Sequence, residues 1–426
     1  MKRTLAAAVL AGLGGLTAAA QTAPEILERL KALEEKVQAL ESEVRALKSR
    51  VEPPTAITVS TEPQPRSAEP LPSPSGREGV GALPYYGSAT ASTKIFNPDM
   101  AAIGTFRGAA GSAGPRGTPA LEMPEAEVAL QAIVDPYARA DFFLSFGESG
   151  VELEEGFLTF SALPGGFQFK AGKMRAAFGK VNTFHSHALP WVDRPLVTQN
   201  LLAGEEGIND AGLSLSRSIP MPGQIFLEAT GQLYRGDSGD LFRSQRRSNV
   251  GAVGRLRGYR DLSESTNLDL GFSYARGHSA LGLAEARAVA ARPSLSGITR
   301  LYGVDATLRW KPLRRAIYRS FLARSELVWG QAELGGATAR PLGYYVSGEY
   351  QLARRWHFGG RFDRSERLDL MPLRDTAGSI LLTFRPSEFS QIRGQLRRAR
   401  YGERFTANEF LFQFQFSIGA HGAHPF

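Results

Sequence analysis

Cysteine is missing from all 426 residues, which removes disulfides, thiolate metal ligands and a lipid-bearing cysteine together. No stretch reaches the ~18 consecutive apolar residues that a membrane-crossing helix needs, and mean hydropathy is only −0.20. Those two facts exclude a helical membrane protein. Histidine is scarce, with six residues, and beyond residue 82 lysine is reduced to Lys94, Lys170, Lys173, Lys180 and Lys311. Arginine carries the positive charge there, within a chain of net charge +8 that favours anionic partners. There is no GxSxG elbow and no HExxH pair, and the nearest acid–histidine pairing, Asp363 with His357, has no catalytic spacing, so an enzyme is not expected. The arginines recur at strand spacing rather than in one cluster, so no nucleic-acid partner is expected either.

What the chain does have is alternation. Between Asn408 and Gly419, Phe410, Phe412, Phe414, Phe416 and Ile418 alternate with Leu411, Gln413, Gln415 and Ser417. A period of two puts the phenylalanines on one strand face and the glutamines on the other. In water such a row invites aggregation; in a bilayer it is a lipid-facing stripe opposite a polar lumen. The same pattern returns in Leu268/Leu270/Phe272/Tyr274, Val304/Ala306/Leu308/Trp310, Tyr344/Val346/Gly348/Tyr350/Leu352 and Ile380/Leu382/Phe384. Trp310, Trp329, Trp356 and Tyr344 fall at strand ends, where aromatic girdles sit.

The predicted fold is therefore an all-β membrane protein, an antiparallel transmembrane β-barrel of about 16 strands over residues 83–426, preceded by an N-terminal α-helical coiled coil. A barrel of this size is expected to enclose water rather than a packed core. Asp135-Pro136, Gly147-Glu148-Ser149-Gly150 and Lys311-Pro312 read as tight periplasmic turns. Segments 180–210, 235–248 and 278–299 read as longer loops, extracellular or folded into the lumen.

Three segments precede the barrel. Residues 1–20 form an expected signal peptide, with basic Lys2-Arg3, a short apolar run and Ala18-Ala19-Ala20 before the cleavage point. In residues 21–51, Leu30, Val37, Val44 and Val51 take heptad a positions and Ile26, Leu33, Leu40 and Leu47 take d positions. Unbroken over roughly four heptads, they predict a periplasmic coiled coil that oligomerises the chain. Lys36 facing Glu41 and Glu43 facing Lys48 support a parallel arrangement, and Val at a with Leu at d permits a dimer or a trimer. Residues 52–82 are a proline-rich spacer that could reach peptidoglycan.

If the aromatic faces meet lipid, then Arg139, Lys170, Arg255, Arg257, Arg309, Arg324, Arg361, Arg393 and Arg397 face the lumen. Guanidinium groups in a pore attract anions, although pairing with the inward acids Asp141, Glu228, Asp305, Glu326, Glu349 and Asp363 would make them structural. Two tight histidine pairs, His185/His187 and His421/His424, could each offer imidazoles to Zn²⁺, with oxygen from Asp193 or Glu409. No other cofactor is implied.

The phenylalanine-striped last strand and terminal Phe426 resemble the C-terminal signature of Gram-negative outer-membrane β-barrels, which implies outer-membrane lipid as the surroundings. The run Gly172-Lys173-Met174-Arg175-Ala176-Ala177-Phe178-Gly179-Lys180 resembles an element of the phosphate-selective porin O and P family, with Ala177 where that family often has proline. The resemblance implies a trimeric porin passing small anionic solutes, and Lys173, Arg175 and Lys180 as anion contacts near a constriction. The tail Gly419-Ala420-His421-Gly422-Ala423-His424-Pro425-Phe426 looks like that of zinc-associated outer-membrane proteins. Besides an anion-biased porin, two readings thus stand: a metal-uptake protein, and a structural tether to the cell wall with its lumen blocked by loop 180–210.

Overall fold

The computed structural model describes residues 98–419, except 113, 115, 116, 149, 281–296, 335–336 and 369–372. The heptad segment with Ile26 through Val51, the spacer, and His421 and His424 lie outside the described residues.

Strand β1 (Asp99–Gly111) is followed by β2 (Leu121–Asp135), β3 (Ala138–Gly147), β4 (Gly150–Leu163) and β5 (Phe167–Arg175). After a long connection come β6 (Asn209–Met221), β7 (Ile225–Tyr234), β8 (Gly251–Ser263), β9 (Thr266–His278) and β10 (Ile298–Trp310). β11 (Phe321–Leu334), the short β12 (Ala337–Ala339), β13 (Leu342–Ala353), β14 (Trp356–Glu366), β15 (Arg374–Ser387), β16 (Ser390–Arg400) and β17 (Thr406–Gly419) complete the sheet. Each wall strand pairs antiparallel with its neighbours in sequence. β1 pairs with both β2 and β17, from Ala101 opposite Gly419 to Gly111 opposite Glu409. The sheet thereby closes into a barrel of 16 strands, with β12 as an extension that pairs with the end of β11.

Alternation along each strand sorts the two faces. On β14, Phe358 and Phe362 are 47% and 46% exposed, whereas His357, Arg361, Asp363 and Ser365 on the other face are buried. On β17, Phe410 and Phe416 point outward while Leu411 and Gln413 are buried inside. Large apolar side chains outside and charges inside invert the arrangement of a water-soluble protein, as a lipid-facing wall requires. Aromatic residues gather at the two ends of the wall. Trp329 stacks on Tyr302 at 5.7 Å, and Tyr302 lies 5.2 Å from Tyr274, near one rim. Trp356 lies 4.6 Å from Phe384 near the other.

Because neighbouring strands run in opposite directions, successive connections alternate between rims. The rim that carries 136–137, 164–166, 222–224, 264–265, 354–355 and 388–389 has short turns, and both ends of the barrel chain emerge there. The Gly147–Gly150 turn is tight, but it joins β3 to β4 and so lies on the opposite rim, with the long loops. The connection at Lys311-Pro312 is on the short-turn rim but runs through residues 311–320 with a 3₁₀ turn at Leu313–Arg315. The lumen also departs from the expected water-filled channel: residues 176–208 fold into it and carry an apolar core of their own.

A charge at a lipid-facing site should cost far more than the same charge inside. Phe412→Arg is expected to destabilise the barrel by about 2–4 kcal/mol in urea titrations of vesicle-folded protein. Ser417→Arg, on the lumenal face, is expected to stay within about 0.5 kcal/mol of wild type.

Candidate functional site

The loop between β5 and β6 is a folded insert. Asn182 closes its neck, donating from Nδ2 to Ala176 O at 2.9 Å and Ile208 O at 3.1 Å, while its Oδ1 accepts from Ile208 N at 2.8 Å. The glycines of the Gly172–Gly179 run both take left-handed backbone (φ +143° and +60°). A side chain at Gly172 would strike the Gly156 carbonyl, and one at Gly179 would strike the Glu326 carboxylate. From β11, that carboxylate accepts the backbone N–H of both Lys180 and Val181 at 2.7 Å. Beyond the neck the chain makes 3₁₀ turns at Val181–Thr183 and Ser186–Ala188 and one short helix, α1 (Leu196–Leu201).

Beyond its neck the insert is held by its own apolar side chains and, near its end, by Asp193. Phe178, Val181, Val197, Leu201 and Leu202 are fully buried against Leu301, Val328 and Tyr345 of the wall. Asp193 reaches the far wall, ion-pairing with Arg361 at 2.8 Å and Arg397 at 3.2 Å and accepting from Gln395 Nε2 at 2.6 Å. Burial pushes the Asp193 carboxyl up, but the two guanidinium groups outweigh it and hold the group below the ordinary carboxylate range. Around it, Val192 N donates to Gln395, Leu196 N to Asp363 and Asn200 Nδ2 to Asp375. Trp191 packs edge-on against Tyr345 at 5.1 Å and lies under the Arg361 guanidinium at 4.9 Å. The insert thus touches β8, β9 and β11 at its start and β14 to β16 near its end.

Its middle carries two histidines that meet acids from β2 and β4. His185 Nδ1 lies 2.8 Å from Glu127 and 3.0 Å from Glu154, and its Nε2 lies 2.7 Å from Glu155. His187 Nδ1 lies 3.3 Å from the same Glu127 oxygen. Burial lowers the basicity of the His185 imidazole, yet hydrogen bonds to Glu127, Glu154 and Glu155 raise it well above the ordinary histidine value. Asp193 takes no part in this cluster, because it is committed to the arginines on the other wall.

On the short-turn side of the insert lies an open chamber of about 680 Å³, floored by Phe184, His187, Leu189 and Pro190. Its wall carries Arg309, Lys311, Arg324, Arg354, Arg385 and Arg393 against Glu349 and Glu388. On the long-loop side, Val192, Asp193 and Leu196 line a smaller pocket of about 70 Å³ with Arg107, Arg397 and Glu409.

No family model matches the sequence. An uncharacterized protein of Aquifex aeolicus (strain VF5) is 31% identical over 335 residues, which span 71% of this chain and 69% of that protein. The chain belongs to the family of that Aquifex protein. Among solved structures, the anion-selective porin from Comamonas acidovorans superposes with a TM-score of 0.52 at 10% identity, covering 76% of this chain and 99% of the porin. A loop-deletion mutant of OmpT, an outer membrane protein of Vibrio cholerae, gives 0.51 at 9% identity, covering 76% and 99%. The outer membrane channel DcaP of Acinetobacter baumannii gives 0.50 at 11%, covering 76% and 96%. At such identities the likeness is one of fold, and the fold shared is that of outer-membrane porins.

The barrel places the candidate cations in three groups. Arg139, Arg255, Arg257, Arg361 and Arg397 face inward and are ion-paired with Asp141, Asp305, Asp269, Asp363 and Glu409 respectively. Arg175 is buried against Glu154, and Lys180 lies 3.4 Å from Asp269, its ammonium lowered to about 8 by burial and by nearby arginines. Lys170 faces inward, 4.5 Å over the Phe157 ring. Lys173 stands on the opposite face from Met174, which is buried in the lumen, and pairs with the exposed Glu152 at 3.2 Å. The third group, Arg309, Arg324 and Arg393, has no carboxylate in ion-pair contact among the described residues. Arg393 is 1% exposed and, among the described residues, donates to Thr383, Leu189 O and Gln413. Sequence reasoning passed over Glu127, Glu154 and Glu155: adjacent residues of a regular strand face opposite sides, and only the bulge in the β3–β4 pairing at Phe143/Leu144 turns both Glu154 and Glu155 inward.

Removing Asp193 should release the insert. In Asp193→Ala, two buried guanidinium groups lose their shared acid but keep Asp363 and Glu409, at a cost of about 1–3 kcal/mol. The expected outcome is new protease cleavage near residue 193 and a larger single-channel conductance. Since ion pairing lowers the Asp193 pKa, its contribution in wild type is complete above about pH 4 and fades only as pH falls through that lowered value. Conductance measured at pH 5 and pH 7 should therefore show the insert equally docked.

Proposed function

We propose that this protein is an outer-membrane channel that passes small anionic solutes by passive diffusion, without catalysis. The observation that carries the reading is the short-turn chamber, where six cationic side chains face two acids inside a closed, lipid-inverted barrel. Most other inward arginines are neutralised by an adjacent carboxylate and contribute structure rather than selectivity. Arg309, Arg354 and Arg385 reach the water of the chamber with their charge available, and a guanidinium can hold a phosphate or carboxylate through two hydrogen bonds, while the buried Arg324 and Arg393 add field without contact. The likeness in fold to a porin described as anion-selective supports the same reading, as does the resemblance of Gly172–Lys180 to the phosphate-selective porins. The folded insert forms the constriction, and solute passes where its polar edge meets the wall.

In the same reading the signal peptide delivers the chain to the periplasm, and the heptads over Ile26 to Val51 join the barrels into a trimer. The trimer form described for OmpT of Vibrio cholerae is a precedent for that assembly in this fold.

Planar-bilayer recordings in a potassium chloride gradient test the proposal. Stepwise currents with a reversal potential on the chloride side are expected, with block by added phosphate. Arg324→Ser/Arg385→Ser should move the reversal potential toward zero, while Lys173→Ser, on the outer face, should leave it unchanged. Silent bilayers would overturn the channel, and a cation-selective current would overturn the anion preference.

A further inference from the structure

The histidine–glutamate cluster beneath the chamber has the makings of a metal centre. Three donor pairs lie at 2.8, 3.0 and 3.3 Å: His185 Nδ1 to Glu127 Oε2, His185 Nδ1 to Glu154 Oε2, and His187 Nδ1 to Glu127 Oε2. Donor atoms of Glu127, Glu154 and His185 all fall within 4.8 Å of one another. Ligands held about 2.0–2.2 Å from one ion in a tetrahedron lie about 3.3–3.6 Å apart, so His185 would draw back from Glu127 by about half an ångström or more, and His187, which stands outside that group of three, would turn inward to complete the site.

We propose that His185, His187, Glu127 and Glu154 form a binding site for a borderline divalent cation of the Zn²⁺ class, with Glu155 orienting His185. Three features of the structure support that chemistry. The donor set of two imidazoles and two carboxylates suits Zn²⁺ far better than Mg²⁺ or Ca²⁺, which take oxygen alone. Glu155 sits 2.7 Å from His185 Nε2, the position of the outer carboxylate that fixes the tautomer of a metal-bound histidine. Charge also balances: among the described residues, Glu127, Glu154 and Glu155 contact one permanent cation, Arg175, at 2.9 Å from Glu154. Once the ion displaces the proton of His185, three carboxylates and Arg175 leave two negative charges for one dication.

The residues come from three places in the chain. Glu127 lies on β2, Glu154 and Glu155 on β4, and in the insert His185 precedes the 3₁₀ turn Ser186–Ala188 while His187 lies within it. A bound ion would tie the middle of the insert to the wall opposite Asp193. His187 also lines the chamber, which gives an ion a route in from the short-turn side.

Isothermal titration of Zn²⁺ into EDTA-stripped, detergent-folded full-length protein tests the site, with Co²⁺ absorption as a second readout. A variant carrying His421→Ala/His424→Ala separates the tail from the lumen. The expected result is one Zn²⁺ per chain that survives in the tail variant and resists millimolar Mg²⁺. Binding should weaken at least 100-fold in His185→Ala and about 10–100-fold in Glu155→Gln. Folding of each variant is checked by heat-modifiable gel mobility, and where His185→Ala does not fold, His187→Gln replaces it with the same expected loss. Absence of Zn²⁺ binding in the tail variant, or binding there that is indifferent to His185, His187 and Glu155, would overturn the proposal.

Discussion

Pairing of β1 with β17 is the contact on which the rest of the molecule depends. Every backbone N–H and C=O at membrane depth needs a partner, and an open sheet would leave two edges without one. Closing the ladder from Ala101–Gly419 to Gly111–Glu409 removes both edges and fixes which face of every strand points inward. Slipping any strand by one residue would turn its phenylalanines into the lumen and its arginines into lipid. The alternation seen in β14 and β17 is thus as much a consequence of closure as of composition.

Closure also creates the interior that the insert occupies. A ring of 16 strands is too wide for its own side chains to meet across the middle. Residues 176–208 fill the gap with a small core, anchored at one wall by Glu326, at another by the paired arginines around Asp193, and between them by the histidine–glutamate cluster. Each anchor is a buried polar group with several partners, so each is costly to break singly. The insert is a folded part of the structure with polar fastenings, unlike a loose loop lying in water.

The barrel was legible in the sequence because strand period, aromatic end residues and inward arginines are all local signals. Phe410 to Phe416 and Val304 to Trp310 read correctly from their neighbours alone. Turn placement was less legible: the Gly147–Gly150 turn looks like any tight turn, and only the running count of strands assigns it to the long-loop rim. The apolar core in the lumen was hidden because Phe178, Val181, Val197 and Leu201 have no strand periodicity and pack against distant partners. The same distance hid the partners of Asp193 and His185. Both had been singled out, but pairing across the barrel decides that Asp193 meets Arg361 and that His185 meets Glu127, Glu154 and Glu155.

Arg393 has a consequence of a different kind. Its guanidinium is enclosed, and its bonds run to a hydroxyl, a main-chain carbonyl and an amide, none of which cancels its charge. Charges standing in the chamber gather an atmosphere of counter-ions that shortens their reach as electrolyte is added. A charge sealed in the protein is screened far less, so its field persists in concentrated brine. Part of the positive potential at the mouth of the constriction therefore belongs to the scaffold, and it falls less steeply with the ionic strength of the medium than the part due to exposed side chains.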